Sequence, residues 1–340
     1  MNLRWVAAAQ WEEIDMKLFA YGCRPYDEEP FFIQHAEKLG VELRFTQEPV
    51  SMDNAELARG YEYVSILTNP VPAPLMDKLH ELGVKMISTR TIGFDHVDCH
   101  RAKEIGMKVS NVSYTPECVA DYTVMLMLMS LRKMKRIMQR SSINDFTLKG
   151  INGGLLGERT VGVIGTGRIG RSVIRDLKGF GCKVYAYDVF KSPEAGAEYL
   201  PLDELLSRCD LITLHAPLTD ENFHLIDREA ISKMPDGVVI INTARGGLID
   251  SDALIEGLES GKIGACGLDV VEDEFQMYYF DRRSDVVGNR RLSILRDMPN
   301  VVVTPHMAFY TDRSVSDMVH NSILSCLYDS KGEKNPWQVV

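Results

Sequence analysis

Residues 160–170 read TVGVIGTGRIG, an apolar run closed by Gly165-Thr166-Gly167-Arg168-Ile169-Gly170. This is G-x-G-x-x-G between a strand-like segment, Val161–Ile164, and a helix-like one, Arg171–Phe180. Each glycine has a physical task. Gly165 permits a tight turn, Gly167 lets a pyrophosphate reach the backbone, and Gly170 lets strand and helix pack closely. The phosphates then meet a helix N-terminus, whose free N–H groups and dipole favour negative charge. The motif alone is weak, but a second apolar run, Lys183–Tyr187, follows and ends on Asp188, 23 positions after Gly165. An acidic residue about 20 positions on is the expected partner of the adenosine ribose hydroxyls. The stretch therefore predicts a dinucleotide site. Asp188 repels a 2′-phosphate, which favours NAD over NADP, although Lys191 lies close by in the chain.

Working outward towards the C-terminus, apolar runs alternate with helical patterns. Strands are expected at Val161–Ile164, Lys183–Tyr187, Leu211–Leu214, Val238–Ile241, Ala265–Leu268 and Val301–Val303. Helices are expected at Arg171–Phe180, Leu202–Cys209, Asp227–Met234, Ser251–Ser260 and within Leu292–Arg296. Six near-continuous apolar strands suit a parallel, doubly wound sheet with helices on both faces. Towards the N-terminus lies a second alternating series. Its strands are Met16–Gly22, Val41–Phe45, Tyr63–Leu67, Lys85–Ser88 and Val109–Asn111, and it carries no glycine fingerprint. It reads as a separate α/β domain. Between the two, Glu117–Arg136 contains VMLMLMSL and predicts one long helix, apolar on more than one face. Such a helix is buried in a core or in a homodimer interface. Asp312–Asp329 predicts a helix that returns to the first domain, and residues 1–15 read as an extension ahead of the first strand.

Composition narrows the function. The chain has 340 residues, 45% hydrophobic and 25% charged, as in ordinary soluble two-domain proteins. A net charge of −10 argues against nucleic-acid binding. No apolar run approaches the roughly 18 residues of a membrane span. Seven cysteines are scattered without C-x-x-C or Cys/His ligand spacing, which points to reduced thiols in the cytoplasm and to no metal.

In a parallel α/β sheet, ligands bind outside the C-terminal strand ends. After Leu211–Leu214 come His215-Ala216-Pro217; after Val238–Ile241 come Asn242-Thr243-Ala244-Arg245. After Ala265–Leu268 come Asp269 and Glu272-Asp273-Glu274, and after Val301–Val303 come Thr304-Pro305-His306. An arginine, a carboxylate cluster and a histidine thus converge on one sheet edge. That set suits hydride transfer to a 2-oxo acid. Arg245 offers a two-pronged donor for a carboxylate, and His306 can give a proton to a carbonyl oxygen. Glu274 would orient the imidazole and favour its charged form. Taken singly, each could be a surface or salt-bridge residue.

Through VGVIGTGRIG, HAPLTDENFHLI, INTARGGLIDSDAL, GLDVVEDE and NVVVTPHMAFYT, the chain resembles the D-isomer-specific 2-hydroxyacid dehydrogenase family from Met16 to about residue 330. Within it the sequence is most similar to the D-lactate dehydrogenase branch. The resemblance implies two Rossmann-like or flavodoxin-like domains with the active site in the cleft between them. Residues 1–113 plus 310–340 would form the substrate domain and residues 114–309 the NAD-binding domain. It implies Arg245, Glu274 and His306 as the catalytic trio. The substrate would be held by Ile92 and Gly93 through backbone N–H groups, with Tyr114 and Phe309 lining its pocket. NAD would contact Gly165, Gly167, Arg168, Ile169, Gly170, Asp188, His215, Ala216, Pro217, Asn222, Thr243, Ala244, Arg245 and Asp269. The family is usually dimeric. The implied reaction is NADH-dependent reduction of a small 2-oxo acid, pyruvate first, with larger branched or aromatic acids as the alternative. Tyr278, Tyr279 and Phe280 either pack over the active site or belong to a loop that covers the domain edge. A regulatory NAD(H)-binding module is the competing class, since such proteins keep the same trio.

Overall fold

A computed structural model describes residues 4–6, 16–274 and 277–340. The chain divides into two units, Met1–Thr115 with Tyr310–Val340, and Pro116–Phe309.

The first unit is built on strands β1 (Arg4–Val6), β2 (Lys17–Ala20), β3 (Glu42–Phe45), β4 (Tyr63–Ile66), β5 (Met86–Thr89) and β6 (Lys108–Ser110). Their order is β1-β3-β2-β4-β5-β6. All neighbours pair in parallel except β1, which runs antiparallel to β3 at the edge. Residues 4–6, read from sequence as part of an extension, therefore belong to the sheet; the rest of residues 1–15 lie outside the described residues. Without β1 the order is that of the flavodoxin-like doubly wound fold. Strands β4 and β5 are buried along their whole length, which explains why they read as unbroken apolar runs. The helices Glu29–Leu39 and Asp312–Ser330 bury Phe32, Ala36, Val319, Ile323 and Cys326 against Leu18, Leu43 and Met86 on one face. On the other, Leu75, Met76 and Leu79 of Ala73–Glu81 pack with Val64 and Ile87.

Where those two helices meet, the rings of His35 and His320 lie 4.7 Å apart. His35 shares a hydrogen bond with Ser316 Oγ through Nε2 at 3.0 Å, and both Nδ1 atoms are buried without a partner. Burial pushes both imidazoles below the usual histidine range, and Lys38 adds to this against the opposing pull of Asp317. The folded state thus prefers both rings neutral. The contribution of these rings to stability is complete above the unfolded pKa of about 6.5 and declines as pH falls below that value. Urea midpoints between pH 5 and 8 should show this decline, and His320→Gln should flatten it.

The second unit carries β7 (Thr160–Ile164), β8 (Lys183–Tyr187), β9 (Glu198–Tyr199), β10 (Leu211–Leu214), β11 (Val238–Asn242), β12 (Ile263–Leu268) and β13 (Val301–Val303). The sheet is parallel throughout, in the order β13-β12-β11-β10-β7-β8-β9. The sequence predicts six strands and the structure has seven, because β9 is two residues long and leaves no pattern. Six of them keep the order of the dinucleotide-binding fold, with its reversal between β7 and β10. Asn242, Leu268 and Val303 stand in register across β11, β12 and β13, so the loops that follow leave the sheet side by side.

The helix expected over Glu117–Arg136 is two helices, Glu117–Leu131 and Met134–Ser141. Lys133 between them has φ 53°. Leu, Arg, Lys and Met are all good helix formers, so propensity does not cause the break. Just past the break, Lys135 Nζ donates to the carbonyls of Arg296, Met298 and Val301 at 2.6–2.9 Å, so the second helix is anchored by tertiary contacts. The first helix packs into the unit's own core, with Leu126, Met127 and Leu131 beside Val161, Val173 and Val239.

Candidate active site

Gly165 sits at the end of β7 with φ 93°. A Cβ there would lie 2.6 Å from Ala216 N, just beyond β10. At Gly170 a Cβ would come within 2.0 Å of the Gly165 carbonyl oxygen, so only glycine lets the helix Arg168–Phe180 approach the strand this closely. Gly167 is the opposite case, since a Cβ there would meet nothing within 4 Å. The turn therefore leaves open room at the one glycine whose task is ligand approach, directly before a helix start. The loop fits a dinucleotide pyrophosphate, with Arg168 exposed and Ile169 half-buried in the first turn. The two glycines separate fold from binding. Gly170→Ala should lower stability by about 1–3 kcal/mol through overpacking. Gly167→Ala should melt like the native protein and yet bind NADH weakly, as thermal melts and fluorescence titration would read.

Asp188 ends β8 and is already engaged. Its Oδ2 accepts from Thr166 N at 2.6 Å and Thr166 Oγ1 at 2.9 Å, and Oδ1 accepts from Phe190 N at 2.9 Å. His215 shares its Nε2 with Thr213 Oγ1 at 2.9 Å, and burial pushes its pKa down to about 3. It stays neutral and brings no positive charge to a phosphate. Asn222 closes the loop after Pro217: its amide donates to the Pro217 carbonyl and its oxygen accepts from Thr219 N. Thr243 shares a hydrogen bond of 2.9 Å with Thr123 of the Glu117–Leu131 helix.

The three strand-end loops meet. Asn242 shapes the first, accepting from Ala244 N and donating to the Arg245 carbonyl. Gly246 then lies against the backbone of Val271 and Glu272, where a Cβ would come within 2.1 Å of Val271 C. Arg245 is thereby carried to the segment that bears Glu274. Glu274 Oε2 accepts from Val271 N at 2.9 Å, and Oε1 stands 2.6 Å from His306 Nδ1. A carboxylate only accepts, so Nδ1 carries the hydrogen and Nε2 is the nitrogen able to exchange a proton with a substrate. The histidine turn is fixed from beneath. Asp269 is fully buried, and its carboxylate accepts from Thr304 Oγ1 at 2.6 Å, Met307 N at 2.9 Å and Ala308 N at 2.8 Å. Burial raises its pKa. His306 itself has φ 53°, with its N–H donated to the Asp269 and Thr304 carbonyls.

Tyr279 adds a side-chain contact that sequence left undecided. Its hydroxyl donates to the His306 carbonyl at 2.8 Å, and its ring meets Phe309 edge-on at 6.3 Å. Phe280 is exposed, and Tyr278 packs against the sheet core.

In the first unit, the loop after β5 carries Ile92 and Gly93. Asn111 Nδ2 donates to the Ile92 carbonyl at 2.7 Å, and Thr91 Oγ1 donates to the Gly93 carbonyl at 2.6 Å. The loop's N–H groups belong to a backbone held through its carbonyls. Behind it stands Arg90, which sequence reasoning passed over. Both Arg90 and Glu28 are fully buried, paired at 2.8 Å. Arg90 also donates to Ser65 Oγ and to the Tyr21 and Gly22 carbonyls. A charged residue directly after an apolar strand was the available signal. Tyr114 falls in this unit, one residue before its boundary.

Residues 124–308 match the family model described as D-isomer specific 2-hydroxyacid dehydrogenase, NAD binding domain. The chain is 44% identical over 315 residues to an aromatic 2-oxoacid reductase of Clostridium sporogenes, covering 91% of this chain and 95% of that one. It is 39% identical over 330 residues to a D-lactate dehydrogenase of Escherichia coli, covering 96% and 100%. Among solved structures, the NAD-complexed D-isomer specific 2-hydroxyacid dehydrogenase of Lactobacillus delbrueckii ssp. bulgaricus matches with a TM-score of 0.81 at 32% identity, covering 96% of this chain and 100% of that one.

Proposed function

The chain belongs to the D-isomer specific 2-hydroxyacid dehydrogenase family, with NAD as its cofactor, and on that premise we propose that it reduces pyruvate to the D-2-hydroxy acid. The observation that supports this reading most is the His306–Glu274 pair at 2.6 Å, on loops in contact with the one that bears Arg245. NADH supplies a hydride to the substrate's carbonyl carbon. His306 Nε2 gives the proton that the carbonyl oxygen takes up, and in the reverse direction removes it from the hydroxyl. Glu274 holds the ring in the tautomer that presents Nε2 and balances the charge of its protonated form. Arg245 holds the substrate carboxylate by a two-pronged contact. Gly167, Arg168 and Ile169 receive the pyrophosphate, and Asp188 faces the adenosine ribose.

The 39% identity to a D-lactate dehydrogenase, over nearly the whole of both chains, supports pyruvate as the substrate. A second reading, an aromatic or branched 2-oxo acid, is favoured by the 44% identity to an aromatic 2-oxoacid reductase. The kcat/KM values of pyruvate, 2-oxo-4-methylpentanoate and phenylpyruvate decide between them, and absence of NADH oxidation with all three rejects both. Tight NADH binding with slow turnover on every acid would support a regulatory module instead.

The assembly is proposed to be a homodimer. Ile143, Phe146 and Leu148, next to the Met134–Ser141 helix, are each about three-quarters or more exposed, more apolar surface than one segment of a monomer usually shows. All seven cysteines are free thiols, which suits the cytoplasm. Among the described residues, no helix is long and apolar enough to cross a membrane.

A further inference from the structure

Asp188 is held by a chain of hydrogen bonds whose direction can be read. Ser192 N lies 2.9 Å from Tyr199 Oη, Tyr199 Oη lies 2.8 Å from Thr166 Oγ1, and Thr166 Oγ1 lies 2.9 Å from Asp188 Oδ2. The carboxylate can only accept, so the Thr166 hydroxyl must donate to it. The Thr166 oxygen then accepts from Tyr199 at 2.8 Å, a shorter contact than the 3.2 Å to the Ser192 carbonyl, the other acceptor within reach of the same hydrogen, and the Tyr199 oxygen itself accepts from Ser192 N–H. Every hydrogen in the series points towards the carboxylate, and such a polarised series strengthens each of its members. The Thr166 and Phe190 N–H groups add two more contacts. A carboxylate has about four acceptor positions, and three are filled from within the protein. One remains, on Oδ1.

The same tyrosine carries a second restraint. Lys191 is the basic residue nearest Asp188 in sequence, and its Nζ lies 5.9 Å from the centre of the Tyr199 ring. That is cation–π distance. Lys191, the cation nearest Asp188 along the chain, is thereby drawn onto Tyr199.

We propose that Tyr199, acting through Thr166 and Lys191, is the positioning residue that sets this protein's choice of NADH over NADPH. The inference rests on the reading that Asp188 faces the adenosine ribose. A fixed carboxylate with one acceptor position left suits one ribose hydroxyl. A carboxylate free to swing aside would tolerate a phosphate, and a released Lys191 would attract it.

Fluorescence titration of the full-length protein with NADH and with NADPH tests this, since it reads binding without turnover. Tyr199→Phe keeps the ring and removes the hydroxyl. It should weaken NADH binding by about tenfold, the size of one lost hydrogen bond, with little change for NADPH. Tyr199→Leu should in addition tighten NADPH, and Lys191→Ala in that background should cancel this gain. Thr166→Val with Tyr199→Phe should cost little more than either alone, because they interrupt one series. The kcat at saturating NADH should stay near the native value in Tyr199→Phe, as the adenosine end is remote from hydride transfer. A native protein that prefers NADH, with a preference that survives Tyr199→Phe, overturns this inference alone. A native protein that binds both alike, with Asp188→Ala making no difference, overturns the placement of the ribose and this inference with it.

Discussion

His306→Gln should lower turnover with a 2-oxo acid by about 10²–10⁴-fold, the usual worth of a positioned acid–base group, while NADH binding stays near the native value. The size follows from the geometry. Nδ1 is committed to Glu274, so Nε2 is the only ring atom that can exchange a proton with the substrate. Glutamine keeps the bulk and a hydrogen-bonding end but cannot carry the proton. Glu274→Gln should act in the same direction with a smaller loss, since an acceptor for Nδ1 remains but its charge is gone. The double variant should cost hardly more than His306→Gln, because the two side chains work as one unit. The direction of the reaction adds a sign. Reduction requires Nε2 protonated, so its rate falls as pH rises; oxidation of the hydroxy acid requires Nε2 bare, so its rate rises. Both limbs should vanish in His306→Gln. Steady-state rates in both directions across pH check this, and parallel profiles in the native enzyme would remove His306 from the role.

The parts legible in the sequence are those with a local signature. The parallel strands of this sheet stand out as apolar runs between helical patterns, so Lys183–Tyr187, Leu211–Leu214 and Val301–Val303 are read to the residue. The loops after β11, β12 and β13 follow from the rule that ligands lie at strand ends, and that rule brings His306 to Glu274 from 32 positions away. What stayed hidden is set by partners distant in the chain. β9 is two residues that become a strand only beside β8. The break at Lys133 falls where the local sequence favours helix, and the helix beyond it is anchored through Lys135 to carbonyls 161–166 positions further on. Thr166 looked like a spacer between two glycines, yet Tyr199, 33 positions away, makes it the link that holds Asp188. Asp269 reads from the sequence only as an NAD contact; three contacts from residues 304–308 show that its carboxylate builds the turn that presents His306.

Arg90 is the most hidden of these, and its partner should give the largest loss of stability. Glu28 and Arg90 lie 62 positions apart, and neither is exposed at all. Glu28→Gln leaves the Arg90 guanidinium charged and enclosed. Its centre lies 5.1 Å from that of the Phe32 ring, and the acceptors that remain to it, Ser65 Oγ and the Tyr21 and Gly22 carbonyls, are all neutral. Removing one partner of a buried pair costs about 3–5 kcal/mol, because the remaining charge has no compensation. Thermal and urea midpoints should fall accordingly. The same change should reach the substrate. Arg90 directly precedes Thr91-Ile92-Gly93 and ties the end of β5 to the end of β2 and to the start of the Glu29–Leu39 helix. Loosening that tie should raise KM for the 2-oxo acid more than it lowers kcat, the result expected on the proposal that Ile92 and Gly93 bind the carboxylate without taking part in proton transfer. Arg90→Met in the Glu28→Gln background should restore part of the stability, since the uncompensated charge is then gone, but should not restore KM. Full recovery of both would mean that the pair only fills space behind the loop; equal losses in the single and double variants would mean that the neutral contacts of Arg90, and not its charge, hold this edge of the sheet.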